Sequence, residues 1–301
     1  MKTVPTHLDG ERVDKVLAEL FDLSRSKARA LAERGVTVDG DEVGPADRVR
    51  SGQEISAAAP DVGVTLVPEP VEFGIIHEDE DVIVVDKPPG LVVHPGAGNQ
   101  AGTLAAGLLH RFPELAEVGS PGRAGLVHRL DKDTSGALLV ARTPSNFETM
   151  TLALRGRRVE RIYLALVEGI MAAPTGTVDA PIGRDPANPT RRTVIHGGKP
   201  ARTHYWVVEE LSDAGLSFLE VRLETGRTHQ IRVHLAAISH PVAGDRVYGR
   251  IRPEIPRVFL HAARLGFDHP RSGHRVEVAS GLPADLTTAL RALGARGGAH
   301  E

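Results

Sequence analysis

The densest group of polar side chains in this 301-residue sequence lies between two apolar runs, from His128 to Gly136. It places one carboxylate, Asp131, between the cations Arg129 and Lys132. A carboxylate held by a cation stays ionised and can act as a nucleophile or a base. The same residues also fit a solvated Asx-type turn. Composition alone slightly favours that turn, so both interpretations stay open.

A second group combines cations and histidines near the start of a predicted helix, from Thr225 to His234. His229 and His234 are five residues apart, so they do not share a helix face as the paired histidines of zinc proteases do. With Asp131 from the first group they could still form a metal site, which is the minority interpretation.

A third group, Arg155 to Tyr163, is a basic run that ends in an aromatic residue. Such a mixture can hold phosphates and stack on a base. It also fits an exposed helix end, where cations favour the negative pole of the helix dipole.

Several classes of protein are excluded by what the sequence lacks. It has no cysteine, which excludes a disulfide framework, a thiol nucleophile, an iron–sulfur cluster and a Cys-ligated zinc. It has no Walker A, GxGxxG or GxSxG pattern, so nucleotide-cofactor binding and serine-hydrolase chemistry have no support. Because there is no signal-peptide segment and no apolar run of membrane-spanning length, we expect neither secretion nor membrane insertion.

The apolar pattern around these groups predicts an α+β fold. Residues 11–55 indicate two short helices, a hairpin at Asp39-Gly40 and a further strand, assigned to a small domain at 1–60. Residues 61–72 are a predicted Pro- and Gly-rich linker, 73–293 a second domain and 294–301 a disordered tail. Since strands outnumber helices and the helices fall irregularly, α+β fits better than a doubly wound sheet. We expect strands near Val82–Val85, Leu91–Val93, Ala137–Val140, Tyr163–Val167, Thr203–Val208 and Phe218–Leu223, and helices near residues 103–111, 145–156, 228–238 and 284–293.

The formal net charge of −3 conceals an uneven distribution. Counted by segment, the net charge is −2 for residues 1–60, −8 for 61–120, +4 for 121–240 and +3 for 241–301. The overall value argues against a cationic coat protein, but the asymmetry permits a local basic face for a polyanion. Uneven charge is also common among proteins whose charged groups are simply solvated.

Several long motifs together resemble one family. HRLDKDTSGALLVA, at His128–Ala141, resembles the active-site motif of the RluA-type pseudouridine synthases of ribosomal RNA and tRNA. Residues 11–55 separately resemble an S4 RNA-binding domain, and the resemblance covers nearly the whole chain. One departure is Ser239, where the family usually has glycine before His-Pro. The further segments that resemble the family, in the same order, are VVDKPPGLVVHPG, RIYLALVEG, PIGRDP, LETGRTHQIRVHLA and HPVAGDRVYG.

The resemblance implies an S4-type domain followed by a catalytic domain with a large mixed, mainly antiparallel sheet flanked by helices. It implies isomerisation of uridine to pseudouridine in RNA, with 23S ribosomal RNA or its precursor as the expected partner. In that reaction the N1–C1′ bond breaks, the uracil turns within the site, and C5 bonds to C1′. The family needs neither a metal nor an organic cofactor for it.

The resemblance also implies roles for individual residues. Asp131 is the catalytic carboxylate, Arg232 pairs with it, and Tyr163 stacks on the uracil. Arg129 is expected to enter the RNA stack as the target nucleotide flips out. The weaker candidates, as RNA or loop contacts, are Lys132, Arg227, His229 and Lys87. In the S4-like domain the expected phosphate contacts are Arg25, Lys27, Arg29 and Arg34, although a solvated helix face is the alternative.

Two other hypotheses remain open from the sequence. The S4-like segment would also suit a catalytically silent RNA-binding assembly factor. The 14 histidines would suit a metal-dependent hydrolase. For the leading hypothesis we expect a cytoplasmic monomer that binds no membrane.

Overall fold

The computed structural model describes residues 1–21, 23, 25–33, 35–57, 66–96, 99–120, 122–188 and 190–295. The chain divides into two units, Met1–Val64 and Thr65–Glu301. Each unit has buried apolar clusters of its own.

The first unit packs two helices against a small antiparallel sheet with the strand order β1-β4-β2-β3. The β2–β3 hairpin turns at Asp39 and Gly40, whose φ values of 53° and 97° are both positive, as the Asp-Gly pair predicts. The elements are β1 (Lys2–Thr3), α1 (Val13–Leu20), α2 (Arg25–Glu33), β2 (Val36–Val38), β3 (Asp41–Val43) and β4 (Glu54–Ala57), with a 3₁₀ turn at Thr6–Leu8.

The second unit contains the remaining strands and helices. Its strands are β5 (Gly74–Glu78), β6 (Val82–Lys87), β7 (Ser135–Ala141), β8 (Glu160–Glu168), β9 (Thr175–Asp179), β10 (Ile182–Arg184), β11 (Arg192–Val194), β12 (Arg202–Leu211), β13 (Leu216–Leu223), β14 (Leu260–Asp268) and β15 (Arg275–Ala279). Its helices are α3 (Leu104–Arg111), α4 (Pro144–Arg155), α5 (Gln230–Ala237) and α6 (Ala284–Ala292), with 3₁₀ turns at Pro113–Glu117 and Ser212–Ala214.

One nine-stranded sheet organises the second unit, in the order β5-β6-β7-β14-β8-β13-β12-β9, with β15 also pairing with β14. Every pair in it is antiparallel except β7 with β14. Strands β10 and β11 form a separate two-stranded sheet. The expected mixed, mainly antiparallel sheet of an α+β fold is therefore confirmed.

The two faces of the large sheet bury different helices, because successive strand residues point to opposite faces. On one face, Tyr163, Ala165 and Val167 of β8 belong to a cluster that also contains Leu108 of α3 and Leu235 of α5. On the other face, α4 and α6 pack through residues such as Met150 and Leu286. The first of these faces carries the functional groups described below.

The four predicted helices form, starting or ending within two residues of the expected bounds. The expectation of a strand at Leu91–Val93 is wrong. Instead, the carbonyls of Val92 and Val93 accept hydrogen bonds from the backbone N–H groups of Leu104 and Ala105, at 2.8 and 3.1 Å. This apolar segment therefore supports the start of α3 rather than joining the sheet.

The proposed linker and tail are only partly described. Residues 61–65 and 296–301 lie outside the described residues. Residues 66–72 belong to the second unit, where Leu66 packs against the main apolar cluster and the Glu69 N–H bonds to the carbonyl of Ala106 at 3.2 Å. Within the described ranges, no helix is long and apolar enough to cross a membrane.

Candidate active site

Asp131 lies on a loop that leads into β7, and the loop is anchored on both sides of it. Leu130 is buried in the main cluster, and the Thr134 N–H closes a turn on the Asp131 carbonyl at 3.2 Å. Beneath the loop, the fully buried ammonium of Lys87 donates to the carbonyls of Lys132 (3.0 Å), Pro88 (2.7 Å) and Leu91 (3.0 Å). Burial lowers the pKa of Lys87 to about 7.

Arg232 connects this loop to helix α5 and to a second carboxylate. Its Nη1 donates to Oδ2 of Asp131 at 3.0 Å. Its Nε and Nη2 donate to the two oxygens of Asp245 at 2.6 and 2.9 Å. Burial opposes the charged form of Arg232, but the hydrogen bonds and charges of both carboxylates raise its pKa. A planar guanidinium can make all three bonds at once, which fixes its position beneath Asp131.

The two carboxylates are placed differently. Asp245 is fully buried and also accepts the backbone N–H groups of Val247 (2.8 Å) and Tyr248 (3.1 Å). Burial would raise the pKa of Asp245, but Arg232 and these two backbone groups hold it below its usual value. The Asp131 side chain is 15% exposed and faces the cleft. Two carboxylates share one guanidinium, and of the two only Asp131 reaches the cleft that Tyr163 lines.

His229 faces the second oxygen of Asp131, with its Nε2 at 4.0 Å from Oδ1. The Tyr248 hydroxyl accepts the N–H of Arg192 at 2.9 Å and lies 2.9 Å from Nδ1 of His229. That geometry lets Tyr248 donate to Nδ1, which leaves the proton of a neutral imidazole on Nε2, toward Asp131. Burial lowers the pKa of His229, which favours the neutral ring.

Asp131 and Arg232 open onto a cleft of about 550 Å³, which Tyr163 and Arg161 also line. Tyr163 lies on β8, is 5% exposed, and has its pKa raised to about 12 by burial. A neighbouring cleft of about 480 Å³ also contains Asp131, together with Lys132. The structure thus brings the three predicted catalytic side chains to one cleft from a loop, a strand and a helix.

The other residues that were predicted to contact RNA or the loop differ in their exposure to solvent. Arg129, Lys132 and Arg227 are exposed, and Arg129 and Arg227 line the larger cleft. Lys87 is buried, so it contacts the loop and not solvent. In the first unit, Arg25 and Arg29 are exposed on α2. The side chain of Lys27 and all of Arg34 lie outside the described residues.

The histidines do not assemble as the metal-site hypothesis requires. His234 is fully buried, and its ring nitrogens bond to the Thr203 hydroxyl and the Ala180 carbonyl, both at 2.9 Å. It is therefore not free to join His229. In the described part of the chain, Asp79, Asp81 and His269 form a separate cluster whose ligand atoms lie close enough together to hold a metal ion. Its carboxylates are already bound by backbone N–H groups, Arg271 and Asn146.

The comparison with protein families decides the identity of the chain. Residues 81–237 match the family described as RNA pseudouridylate synthase, which is more than half of the sequence. The chain belongs to this family. It is an RNA pseudouridine synthase, and residues 11–55 match the S4 domain family.

Relatives of the synthase extend over almost its full length. It is 46% identical to an uncharacterised RNA pseudouridine synthase of Chloroflexus aurantiacus, across 99% of this chain and 94% of that one. It is 44% identical to the ribosomal large subunit pseudouridine synthase D of Nitrosomonas europaea, across 97% of this chain and 87% of the relative. Among solved structures, human RNA pseudouridylate synthase domain containing 1 matches with a TM-score of 0.57 and 29% identity, over 75% and 96% of the two chains.

Three residues of the synthase site received no role from the sequence: Asp245, Tyr248 and Arg161. Asp245 and Tyr248 lie within HPVAGDRVYG, and Arg161 lies in the basic run before Tyr163. The signal that could have identified Asp245 is the number of carboxylates that a buried Arg232 needs as partners. A buried arginine paired with Asp131 needs a further carboxylate to hold its fork, and the Asp of that motif was available.

Proposed function

We propose that this synthase converts uridine to pseudouridine in the RNA of the large ribosomal subunit, with Asp131 as its catalytic carboxylate. The single observation that carries the role of Asp131 is its ion pair with Arg232 at 3.0 Å, at the mouth of a cleft. The RNA target is supported by the names of relatives such as the ribosomal large subunit pseudouridine synthase D of Nitrosomonas europaea.

In this proposal, Asp131 reacts with the ribose of the target nucleotide, at C1′ or at the 2′ proton. Its side chain is partly exposed to the cleft, while the hydrogen bond from Arg232 to Oδ2 orients it. The carboxylate either attacks C1′ or removes the 2′ proton, and in both courses the N1–C1′ bond breaks. C5 of the turned uracil then bonds to C1′, as the ester bond between C1′ and Asp131 breaks or as Asp131 returns the proton to C2′. The C5 proton leaves, and N1 takes up a proton.

The uracil binds against Tyr163, and the RNA reaches the cleft only after the nucleotide leaves its stack. A target base inside a stem-loop costs about a few kcal/mol to extrude. Arg129 is exposed next to Asp131 at the rim, which supports its role as the side chain that fills the vacated space. Arg227, Lys132 and His229 contact the flanking RNA, and Lys87 supports the loop.

The test of this proposal is the Asp131→Asn variant, which keeps the size of the side chain and removes its charge. We expect it to bind RNA and to form no pseudouridine, because the amide can neither attack C1′ nor accept the 2′ proton. Release of tritium from RNA labelled at C5 of uridine measures the reaction. Asp133→Asn is the matched control, since Asp133 is an exposed carboxylate of the same loop, and it should stay active.

Two results would contradict the proposal. Normal tritium release by Asp131→Asn would remove Asp131 from the chemistry. A wild-type protein that forms no pseudouridine in total cellular RNA, yet complements a ribosome-assembly defect, would favour the silent assembly factor instead.

The finer organisation follows from the same proposal. The domain at 1–60 adds affinity for RNA through α2, and the domain at 73–293 carries out the reaction. The synthase acts as a monomer in the cytoplasm, where a large-subunit RNA substrate is assembled into ribosomes.

A further inference from the structure

Arg161 is a buried cation without a counter-charge. Its side chain lies on β8, two residues before Tyr163, and the residue is only 4% exposed. In the described part of the chain, no carboxylate oxygen lies within 4.0 Å of its guanidinium. Nη2 donates to the backbone carbonyls of Leu223 (3.3 Å) and Glu224 (3.2 Å), and Nε is buried with no partner. A buried charge is costly unless it is paired.

The neighbours of Arg161 do not neutralise it. Glu224 offers only its carbonyl, because its carboxylate is bound by Arg157 and by two side chains of β12. The Tyr163 hydroxyl stays neutral, since burial raises its pKa to about 12. His128 is neutral as well, because burial lowers its pKa to about 3 and the charge of Arg161 opposes protonation further.

Arg161 lies at the cleft with only one of its nitrogens held by the described residues of the protein. Nη2 is tied to the two carbonyls, and Arg161 lines the same cleft as Asp131 and Tyr163. Next to Nη1 lies Gly226, at which a Cβ atom would come within 2.7 Å of that nitrogen. A glycine at 226 therefore leaves the room that the guanidinium occupies.

We propose that Arg161 offsets the negative charge that the uracil ring acquires when its bond to C1′ breaks. This inference rests on the proposed function. As the N1–C1′ bond breaks, its electron pair leaves with the uracil and spreads over N1 and the two ring oxygens. C1′ either gains a bond to the carboxylate of Asp131 or forms a double bond to C2′ as Asp131 takes the 2′ proton. In both courses the detached uracil is an anion, and Arg161 supplies the opposite charge.

The depth of Arg161 favours the uracil over a phosphate as its ligand. The cations at the rim of the same cleft, Arg123, Arg129, Arg155 and Arg227, are all exposed and can reach the RNA backbone. Arg161 lies below them, on the strand face that carries Tyr163. A fixed cation at the point where charge develops acts in a site from which water is excluded, where its effect is large.

The test compares Arg161→Met and Arg161→Lys in the full-length protein with saturating RNA in a single turnover. We expect Arg161→Met to lower the rate of pseudouridine formation by about 10²–10³-fold with unchanged affinity for RNA, and Arg161→Lys to restore part of the rate. Because the methionine removes an unpaired buried charge, the thermal midpoint should not fall. The matched control is Arg264→Met, an exposed arginine paired with Glu220, which should behave as wild type.

Two further measurements separate this role from others. Gly226→Ala displaces the guanidinium without removing its charge, and we expect a smaller loss that disappears in the Arg161→Met background. RNA with 5-fluorouridine at the target carries a more acidic uracil, which leaves more easily as an anion. The defect of Arg161→Met should therefore be smaller on it, as followed by digestion to nucleosides and chromatography.

Distinct outcomes overturn the inference. A normal rate for Arg161→Met beside an active wild type refutes it and leaves the proposed function standing. Weaker RNA binding with an unchanged saturated rate would assign Arg161 to a phosphate. A lower thermal midpoint that Arg161→Lys restores without restoring the rate would make it structural. An inactive wild type would overturn the proposed function and this inference together.

Discussion

At the scale of single residues, the candidate site depends on which carboxylate each guanidinium nitrogen of Arg232 binds. Two nitrogens are bound to Asp245, which is fully buried, and the third is bound to Asp131. The buried carboxylate determines where the guanidinium lies, and the guanidinium then determines where Asp131 lies. A lysine could not replace Arg232, because a single ammonium cannot span both carboxylates with this geometry.

Asp245→Asn should therefore impair the reaction without touching the substrate. The amide would present N–H groups to a guanidinium that has only donors, so Arg232 would turn away and Asp131 would lose its support. We expect the rate to fall about 10²-fold, and the free energy of unfolding to fall by about 3–5 kcal/mol, since a buried pair is broken. Single-turnover tritium release and urea unfolding measure the two effects.

Asp285→Asn provides the comparison. Asp285 pairs with Arg257 at 2.7 Å through a similar fork, but its side chain is 36% exposed. Its loss should cost about 1 kcal/mol or less and leave the rate near wild type. Equal effects of the two substitutions on the rate would show that Asp245 has no special part in holding Asp131.

At the scale of elements, three distant segments meet at one row across the sheet. Gly136 of β7 pairs with Ala262 of β14, and Ala262 pairs with Tyr163 of β8. Just beyond this row the β14–β8 register shifts between Ala262 and Arg264. Such irregularities are common next to active sites, where they change the direction in which a side chain points. The loop of Asp131 enters the row from β7, so the sheet fixes the distance between loop and tyrosine.

Sequence patterns predicted some of these elements well and missed others for physical reasons. A helix was predicted near residues 228–238 and α5 forms at Gln230–Ala237, although its first six residues are all buried and leave no polar face. Strand β14 was missed, since it is buried along most of its length on both faces and shows no alternation. The contact between Asp131 and Arg232 spans 101 residues. Only the family resemblance brought those two residues together, because no local pattern reports such a contact.

Gly136→Ala should disrupt the row of paired strands. Gly136 has a φ of 111°, and a Cβ atom would lie 2.2 Å from the backbone carbonyl oxygen of Ala262. Neither strand can yield without breaking the pairing of β7 with β14, so we expect a loss above about 4 kcal/mol, measured by urea unfolding. Gly273→Ala is the matched control: its φ is also positive, at 72°, but a Cβ atom there meets nothing within 4 Å. It should cost about 1–2 kcal/mol, and similar losses for both would contradict the steric argument.

At the scale of the whole molecule, a protein with a net charge of −3 has to bind a polyanion. The first 60 residues are themselves net negative, at −2, so general attraction cannot bring RNA to the S4 domain. Any RNA contact there has to come from a local face. Arg25 and Arg29 are exposed on α2, where Arg29 also pairs with Glu33 of the same helix at 3.0 Å.

The double variant Arg25→Gln/Arg29→Gln tests whether that face binds RNA. Each lost phosphate contact releases about one counterion fewer, so the slope of log affinity against log salt should become shallower by about 1–2. The rate at saturating RNA should stay as in wild type, because the proposed catalytic side chains all lie in the second unit. Filter binding over a range of salt measures the slope. Arg50→Gln removes an exposed charge of the same unit outside α2, and it should leave the slope unchanged. Equal slopes for the double variant and wild type would mean that α2 is only a solvated face.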